Sequence, residues 1–308
     1  TLADVTAECS VTTLAAPSAT DNCGGTVTVT NNATLPITAQ GTTVVEWTYT
    51  DANGNSTTQN QNVVIEDVTL PTITAPLDVT TGTDAGSCEA SGVSLGTATT
   101  SDNCGVASVT NDAPATFPQG ATTVTWTVTD VNGLENTATQ LVTIEDNEVP
   151  VISTCATNKT QSADVNSEST VPDLTGEIVA SDNCTTTLTV TQSPSSGTTI
   201  GLGITTVTIT VRDDAGNETT CTADVNVVDD SSPTITTCAT DKTLTADANC
   251  ENVVPDLTGE VVATDNGTIV SITQSPASGT TIGLGTTVVT LTVTDDAGNS
   301  STCTANVI

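Results

Sequence analysis

The chain has 308 residues with 36 Asp or Glu against three Lys or Arg, and its formal net charge of -33 at pH 7 argues against nucleic acid and anionic membranes as partners and favours cations. Hydrophobic residues make up 35% of the chain in patterned runs, so we expect folded domains rather than a disordered acidic chain. No stretch approaches the ~18–20 apolar residues of a membrane span, so direct membrane insertion is not expected.

One acidic loop is repeated four times along the chain, as TDNCG, SDNCG, SDNCT and TDNGT. The first Asp of each loop lies 81, 80 and 83 residues after the one before it. Self-similarity at this period indicates a tandem repeat architecture. These segments, called DN loops below, are residues 21–24, 102–105, 182–185 and 265–268.

A second acidic loop of the form D-x-x-G follows in every repeat, with steps of 79, 83 and 82 residues. These DxxG loops are residues 51–55, 130–134, 213–217 and 295–299. Linkers that end in proline separate the repeats and predict four domains, at residues 1–66, 67–146, 147–229 and 230–308. The first domain has no counterpart of residues 67–79, and the fourth stops before a next linker, so we expect a window on a longer fibre.

Each repeat carries a strand pattern before its DxxG loop. Residues six, four and two positions before the loop are hydrophobic and alternate with polar neighbours, most of them threonine, which is the period-two signature of a strand. Short strands bounded by Gly, Asn, Asp and Pro predict an all-β fold of four tandem immunoglobulin-like β-sandwich domains in an elongated array. The predicted inward residues are Val45, Trp47, Tyr49, Val124, Trp126, Val128, Val207, Ile209, Val211, Val289, Leu291 and Val293.

The ten cysteines are expected to form structural disulfides, which implies an oxidising, extracellular setting. No His and no CxxC accompany them, which argues against a metal or catalytic set. Aligning the repeats favours pairs that close within a domain, each worth ~2–4 kcal/mol. The expected pairs are Cys9–Cys23, Cys88–Cys104, Cys155–Cys221 and Cys238–Cys303. Cys184 and Cys250 are left over and are expected to be either unpaired or joined between domains.

The acidic loops suggest a cation site in the second, third and fourth domains. In an immunoglobulin-like topology the N-terminal linker and both loops meet at one pole, where carboxylates repel one another unless a cation lies among them. Calcium takes ~6–8 oxygen ligands from Asp, Glu, Asn and backbone carbonyls, so we expect Ca2+ there as the cofactor that stiffens the junction. The alternative is that Asp and Asn only shape turns. The candidate ligands are Glu66, Asp67, Asp102, Asn103, Asp130, Asn132, Glu145, Asp146, Asp182, Asn183, Asp213, Asn217, Asp229, Asp230, Asp265, Asn266, Asp295 and Asn299.

Several longer motifs carry a family resemblance. They are DNCG, the segment FPQGATTVTWTVTDVNG at residues 117–133, VTDDAGN at residues 293–299 and the closing VTIED. With these motifs the repeats resemble the hyalin-repeat (HYR) family of immunoglobulin-like modules, which implies adhesion or an extracellular scaffold. Long acidic, threonine-rich arrays also resemble giant adhesins of the Bacteroidetes, including gliding-motility adhesins, which implies a secreted protein of a bacterial cell surface.

The function expected from these features is that of a structural stalk that extends a distal adhesive region from the cell. Its partners are neighbouring repeats of the same chain and an unknown extracellular surface, glycan or protein. Two alternatives stay open: a direct glycan- or protein-binding module, and a filament subunit completed by a donated strand. No catalysis is expected, because the chain has no His and its acidic pairs recur in every repeat.

Overall fold

The computed structural model describes residues 1–308. The chain divides into two compact units, Thr1–Asn147 and Glu148–Ile308, and each unit contains two repeats. All regular structure is β apart from two single-turn 3-10 helices, Thr175–Glu177 and Thr258–Glu260. The all-β prediction of four tandem immunoglobulin-like domains is therefore confirmed.

The first repeat forms one four-stranded sheet, in the order β1-β4-β3-β2. Strand β1 runs parallel to β4, and the other pairs are antiparallel. Its strands are β1 (Val5–Ala7), β2 (Thr28–Asn31), β3 (Gly41–Thr50) and β4 (Ser56–Ile65).

The second repeat has the same four-stranded sheet, in the order β6-β12-β11-β9, together with two short ladders, β5–β8 and β7–β10. Ile73 and Ala90, from these ladders, pack against the core residues of the large sheet and complete a sandwich. The strands are β5 (Thr72–Thr74), β6 (Val79–Gly82), β7 (Glu89–Ser91), β8 (Thr99–Ser101), β9 (Val106–Asn111), β10 (Thr116–Pro118), β11 (Gly120–Asp130) and β12 (Glu135–Glu145).

The third repeat follows the same plan, with a sheet in the order β14-β20-β19-β17 and the ladders β13–β16 and β15–β18. Its strands are β13 (Val151–Thr154), β14 (Lys159–Ser162), β15 (Glu168–Thr170), β16 (Val179–Ser181), β17 (Thr189–Ser193), β18 (Thr199–Gly201), β19 (Gly203–Arg212) and β20 (Glu218–Val228).

The fourth repeat keeps three strands of the large sheet, in the order β24-β26-β27, and the ladders β21–β23 and β22–β25. A single bridge between Lys242 and Val307 marks the place of the fourth strand. Its strands are β21 (Thr234–Thr237), β22 (Glu251–Val253), β23 (Val262–Thr264), β24 (Ile269–Ser275), β25 (Thr281–Gly283), β26 (Thr287–Asp295) and β27 (Ser300–Val307).

The core of each repeat lies on the inner face of one long hairpin. All twelve residues predicted to point inward are buried, so the period-two pattern is confirmed. Trp126 packs in one cluster with Phe117 and Val142, and the same strand position is filled by Ile209 and Leu291 in the last two repeats. The hairpin therefore presents the DxxG loop at its tip, on a rigid support.

Some disulfides close within one repeat and another joins two repeats, and the sequence analysis predicted only the first kind. Cys155–Cys221 and Cys238–Cys303 close within the third and fourth repeats, as expected, and tie the first strand to the last. The pairs Cys9–Cys23 and Cys88–Cys104 are wrong. The structure joins Cys9 of the first repeat to Cys104 of the second, with Cα atoms 5.0 Å apart.

Cys9 pairs with Cys104 because it lies at the end of the first repeat that contacts the second repeat. Its neighbour Glu8 accepts hydrogen bonds at 2.6 Å from the Thr69 hydroxyl and from the Asn103 side chain, both in the second repeat. Cys9 thus faces the DN loop of the next domain, which contains Cys104.

The remaining cysteines also differ from the intra-domain scheme. Cys23 and Cys250 are free thiols on the surface. A bridge between Cys184 and Cys250 is therefore not formed, and Cys88 and Cys184 each take part in a disulfide.

Candidate metal centre

Three carboxylates from three separate segments converge at the start of the fourth repeat. Asp229 belongs to the linker after β20, Asp265 to the DN loop, and Asp295 to the end of β26, where the DxxG loop begins. One carboxylate oxygen from each lies within 4.8 Å of the others. Oxygens about 2.3–2.6 Å from a single Ca2+ ion are separated by distances of this size.

Local hydrogen bonds orient two of these carboxylates. Asp295 Oδ1 accepts the backbone N–H of Asn299 at 2.7 Å, and Asp265 Oδ2 accepts that of Gly267 at 2.8 Å. Asp and Asn side chains commonly close turns in this way. Turn formation therefore engages Asp295 Oδ1 and leaves Asp295 Oδ2 without a donor, whereas Asp265 Oδ2, which closes its own turn, also borders the space among the acids.

The free oxygens of the cluster lack donors. Asp295 is 1% exposed, and its Oδ2 atom has no hydrogen-bond partner; the same is true of the buried Oδ2 atom of Asp229. A buried carboxylate oxygen without a partner is costly unless a positive charge offsets it. The three basic residues of the chain do not supply that charge, because they pair with Glu177, Glu218 and Glu260.

Gly267 leaves a small space among these acids. A Cβ atom at this position would lie 2.6 Å from Asp229 Oδ2, 3.0 Å from Asp296 Oδ1 and 3.2 Å from Asp265 Oδ2. Oxygens of three carboxylates thus surround a point that any side chain would fill. The residues present fit a divalent cation at this pole.

The other predicted ligands of the fourth repeat divide between the cluster and its surroundings. Asn299 donates from its side chain to the Asp229 carbonyl oxygen at 3.2 Å and so holds the linker. Asn266 Oδ1 is buried without a partner, which leaves one more oxygen near the DN loop. Asp230 is directed elsewhere, because its Oδ2 accepts the Ser162 hydroxyl at 2.6 Å.

The second repeat brings only two acids together at the same pole. Asp67 and Asp102 lie near the Cys104 sulfur, within 4.8 Å. That sulfur is bonded to Cys9 and has no thiolate to offer a metal. Asp67 is buried, and its Oδ2 accepts a short hydrogen bond from the Asn132 side chain instead.

The remaining candidates of the second repeat shape turns or lie outside the pair. Asp130 is 1% exposed, and its Oδ1 accepts the backbone N–H groups of Asn132 at 2.8 Å and Leu134 at 2.9 Å. Asn103 donates to a glutamate of the first repeat, as described above, and Glu66 is exposed. Asp102 Oδ1 and Asp130 Oδ2 are also buried without a partner, but the converging group here has two carboxylates and a sulfur where the fourth repeat has three carboxylates. This pole is therefore a weaker candidate than that of the fourth repeat.

The third set of candidates is divided between the two units. Glu145 and Asp146 stand at the end of the first unit. In the second unit, Asp182 Oδ2 accepts the N–H of Thr185 at 2.9 Å, and its Oδ1 is buried without a partner. Asp213 Oδ1 accepts the N–H of Asn217 at 2.7 Å, in the same turn as the DxxG loop of the fourth repeat. Asn183 lies beside Asp182 in the DN loop.

The DxxG loop of the first repeat is a closed turn. Asp51 accepts the Asn55 side-chain amide at 2.8 Å and the backbone N–H groups of Asn53 and Asn55 at 2.8 and 2.9 Å. The Asn55 side chain, followed by these backbone donors, lowers the pKa of Asp51 below its usual 3.8.

Two residues of the centre were missed by sequence reasoning. Asp296 borders the space at Gly267, and its Oδ1 also accepts the Thr268 N–H at 3.2 Å. The doubled Asp of DDAGN was a usable signal for Asp296, since the first two repeats have DANGN and DVNGL. The role of Gly267 depends on three dimensions, because its neighbours come from distant segments.

The fold and its disulfides define the class of protein. Tandem immunoglobulin-like β domains with disulfides within and between them are typical of extracellular, adhesion-related repeat proteins. The pattern of the HYR domain matches residues 66–144, 145–227 and 228–308, and that of the HYR-like domain with 4 cysteines matches residues 2–65. The chain belongs to the HYR domain family.

Similar proteins are longer than this chain. Hyalin of Lytechinus variegatus is 34% identical over 297 residues, which are 92% of this chain and 55% of hyalin. Hyalin of Strongylocentrotus purpuratus is 34% identical over 301 residues, 92% of this chain and 24% of that protein. The chain thus spans about half the length of the first relative and a quarter of the second.

Among solved structures, the extracellular cadherin domains 1–4 of protocadherin gamma B7 align with 86% of this chain and 83% of that one, at 14% identity and a TM-score of 0.34. The chain contains no helix with the length and apolar character needed to cross a bilayer.

Proposed function

We propose that this chain is a stalk segment of an extracellular adhesion protein and that Ca2+, bound where the linker meets the two acidic loops, stiffens it. Membership of the HYR family and the tandem arrangement support the stalk. The main observation in favour of calcium binding is the convergence of Asp229, Asp265 and Asp295, whose buried oxygens include two that lack a hydrogen-bond donor.

The three acids act on the connection between the third and fourth repeats. Asp229 lies in the linker, whereas Asp265 and Asp295 lie in two loops of the fourth repeat. When bound, Ca2+ supplies the positive charge that offsets their repulsion. Ligands on both sides of the connection would then restrict how far the linker can bend.

Direct contacts already hold this linker at both ends. The Ser162 hydroxyl of the third repeat bonds Asp230, and the Asn299 side chain of the fourth repeat bonds the Asp229 carbonyl. A cation adds to this arrangement and does not replace it. A stalk of this kind would present an adhesive region to an extracellular glycan or protein. We also propose that this stalk stands on a bacterial cell surface; the acidic, threonine-rich composition of the repeats is the sequence feature behind this part of the proposal.

Two adjacent acids allow a matched test of the calcium site. Asp229→Asn and Asp230→Asn each remove one negative charge from neighbouring positions, but only the first removes a cluster ligand. Calcium titration by calorimetry should show one binding event fewer in Asp229→Asn than in Asp230→Asn. Thermal melts should agree, because a ligand at ~100 times its Kd stabilises by about 2.7 kcal/mol. Equal binding by the two variants would contradict the site.

The stalk is tested separately by small-angle X-ray scattering of the whole chain. The maximum dimension should be long and well defined in calcium, and the scattering of a flexible chain should appear in EDTA. A compact particle in both buffers would contradict the stalk whatever the calorimetry shows. An extended particle in both buffers would keep the stalk and assign its stiffness to linkers and disulfides.

A further inference from the structure

Cys23 and Cys250 are both exposed free thiols, and each stands where another repeat of this chain makes a contact across a junction. We propose that they are the two halves of an inter-domain disulfide of the Cys9–Cys104 kind. Cys250 is then bonded to the DN-loop cysteine of another HYR domain, which Cys23 of a second copy of this chain supplies.

One partner of the proposed bond, Cys23, lies in a DN loop. Cys23 in TDNCG stands at the position of Cys104 in SDNCG. Cys104 is bonded to Cys9, which belongs to the preceding domain. A cysteine at this loop position therefore meets a partner that comes from the domain before it, and Cys23 is exposed and available for such a partner.

The other partner, Cys250, lies in a turn. Its N–H donates to the Asp247 carbonyl at 3.1 Å, just as the Ser167 N–H donates to the Asp164 carbonyl at 3.1 Å. The φ angles are +64° at Cys250 and +62° at Ser167, in the left-handed region that residues other than glycine seldom adopt. The two turns share one backbone geometry, so the Cα–Cβ bond of Cys250 leaves its turn in the same direction as that of Ser167.

The direction of the Ser167 hydroxyl is known from its contact with the fourth repeat. It donates a short hydrogen bond to the backbone carbonyl of Asn266, and the Asn266 side chain donates back to the Asp164 carbonyl at 3.2 Å. Asn266 precedes Gly267, which stands where Cys104 stands in the second repeat. This turn therefore meets the DN loop of the next domain at the position of the loop cysteine.

The two junctions described within the units thus carry matched residues. One has cysteine on both sides, Cys9 and Cys104, and the other has cysteine on neither side, Ser167 and Gly267. In the fourth repeat, Cys250 stands at the turn position that Cys9 fills in the first repeat and Ser167 fills in the third. The domain that docks on this turn should accordingly carry a DN-loop cysteine such as Cys23.

The bond forms by exchange with a low-molecular-weight disulfide, oxidised glutathione. The Cys250 thiolate attacks one glutathione sulfur, forms a mixed disulfide and releases one glutathione thiolate. The Cys23 thiolate of the second copy then attacks the Cys250 sulfur and releases the other. Two cysteine thiols lose two electrons and two protons, one S–S bond forms between the chains, and oxidised glutathione becomes two molecules of reduced glutathione.

Two single variants test whether the bond is specific. Cys23→Ser keeps only the Cys250 thiol, and Cys250→Ser keeps only the Cys23 thiol. In a glutathione redox buffer, each variant alone should stay at 30.8 kDa, and their mixture should shift to twice that mass on a non-reducing gel. The unaltered chain should form a ladder of oligomers. The Cys9–Cys104 peptide serves as the internal control for oxidation.

Peptide mapping of the mixed dimer should recover a Cys250–Cys23 pair. The proposal is overturned if either variant forms dimers alone as fast as the mixture, or if the mixture stays monomeric. Running the reaction in EDTA keeps this outcome independent of the calcium site.

The protein isolated from its source shows where the partner cysteine comes from. A Cys250 peptide joined to Cys23 identifies a second copy, and one joined to a different DN-loop peptide identifies a further HYR repeat with the same chemistry. A Cys250 thiol that reacts fully with an alkylating agent in that material overturns the proposal.

Discussion

Trp126 donates its indole N–H to Gln140 Oε1 at 3.0 Å inside the second repeat, where the two side chains are 6% and 1% exposed. Gln140 also donates to the carbonyl oxygens of Leu77 at 2.6 Å and Leu95 at 3.0 Å. One buried amide therefore ties the segment before β6 to the last strand of the domain.

The third and fourth repeats make an equivalent tie with a covalent bond. Alanine stands at the position of Gln140 in both repeats, and the Trp126 position is filled by Ile209 or Leu291. These two residues pair across the hairpin with Cys221 and Cys303, whose disulfides reach the first strand. A domain of this size thus joins its N-terminal segment to its last strand either through a buried Trp–Gln pair or through a disulfide.

Replacing Gln140 with Leu should destabilise the second repeat by about 2–3 kcal/mol, because the indole N–H and two carbonyl oxygens lose their buried partners. Urea unfolding followed by the fluorescence of Trp126, in a Trp47→Phe background, measures this loss. Thr123→Ala on the outer face of β11 is the matched control and should change the midpoint little. A Gln140→Leu midpoint equal to that of the control would show that the amide does not hold the strands.

Removing the Cys238–Cys303 disulfide by a double substitution with Ala should cost the fourth repeat about 2–4 kcal/mol. The bond closes a separation of 65 residues and restricts the unfolded chain. Differential scanning calorimetry should show the transition of the fourth repeat move to a lower temperature. Cys250→Ala, which removes a thiol without removing a disulfide, should leave the trace in place. Two identical traces would argue that the core alone holds β21 to β27.

Gly267→Ala should abolish calcium binding at the fourth repeat, because the new methyl group would lie 2.6 Å from Asp229 Oδ2. Gly259→Ala is the matched control, since a Cβ there meets no atom within 4 Å. Calorimetric titration of both variants compares their affinities. Calcium binding by Gly267→Ala that equals binding by the control would place the cation elsewhere.

Loss of the ion pair between Lys242 and Glu260, at 2.7 Å, should make the fourth repeat less stable as the pH falls into the acidic range. The Lys242 side chain, followed by the Thr240 N–H, lowers the pKa of Glu260 below its usual 4.5. A lowered folded-state pKa stabilises the domain above the unfolded-state pKa, and this contribution disappears as the pH falls through the folded-state value.

Lys242→Met should therefore raise the pKa of Glu260 towards 4.5 and reduce the acid sensitivity of the fourth repeat. Carbon-detected NMR titration of the carboxyl group measures the shift directly. Glu177, which pairs with Lys159 in the same way, should titrate unchanged in this variant. An unchanged pKa of Glu260 would mean that the backbone donor alone lowers it.

The sequence by itself determined the repeat period, the strands and the face of each strand that is buried. These properties are local: side chains alternate between the two faces of a strand, so the inward set from Val45 to Val293 could be predicted without knowing any long-range contact. The two disulfides that close within a domain could be predicted for a related reason, since the ends they join belong to one repeat.

Only the tertiary structure decided which groups meet at a junction. Cys9 and Cys104 are 95 residues apart and belong to different domains, so their bond depends on which pole each loop occupies. The same applies to the candidate metal centre, because Asp229 and Asp230 are equally plausible calcium ligands when only the sequence is considered. Successive side chains along the linker point in different directions, so Asp229 turns towards the cluster and Asp230 turns towards Ser162.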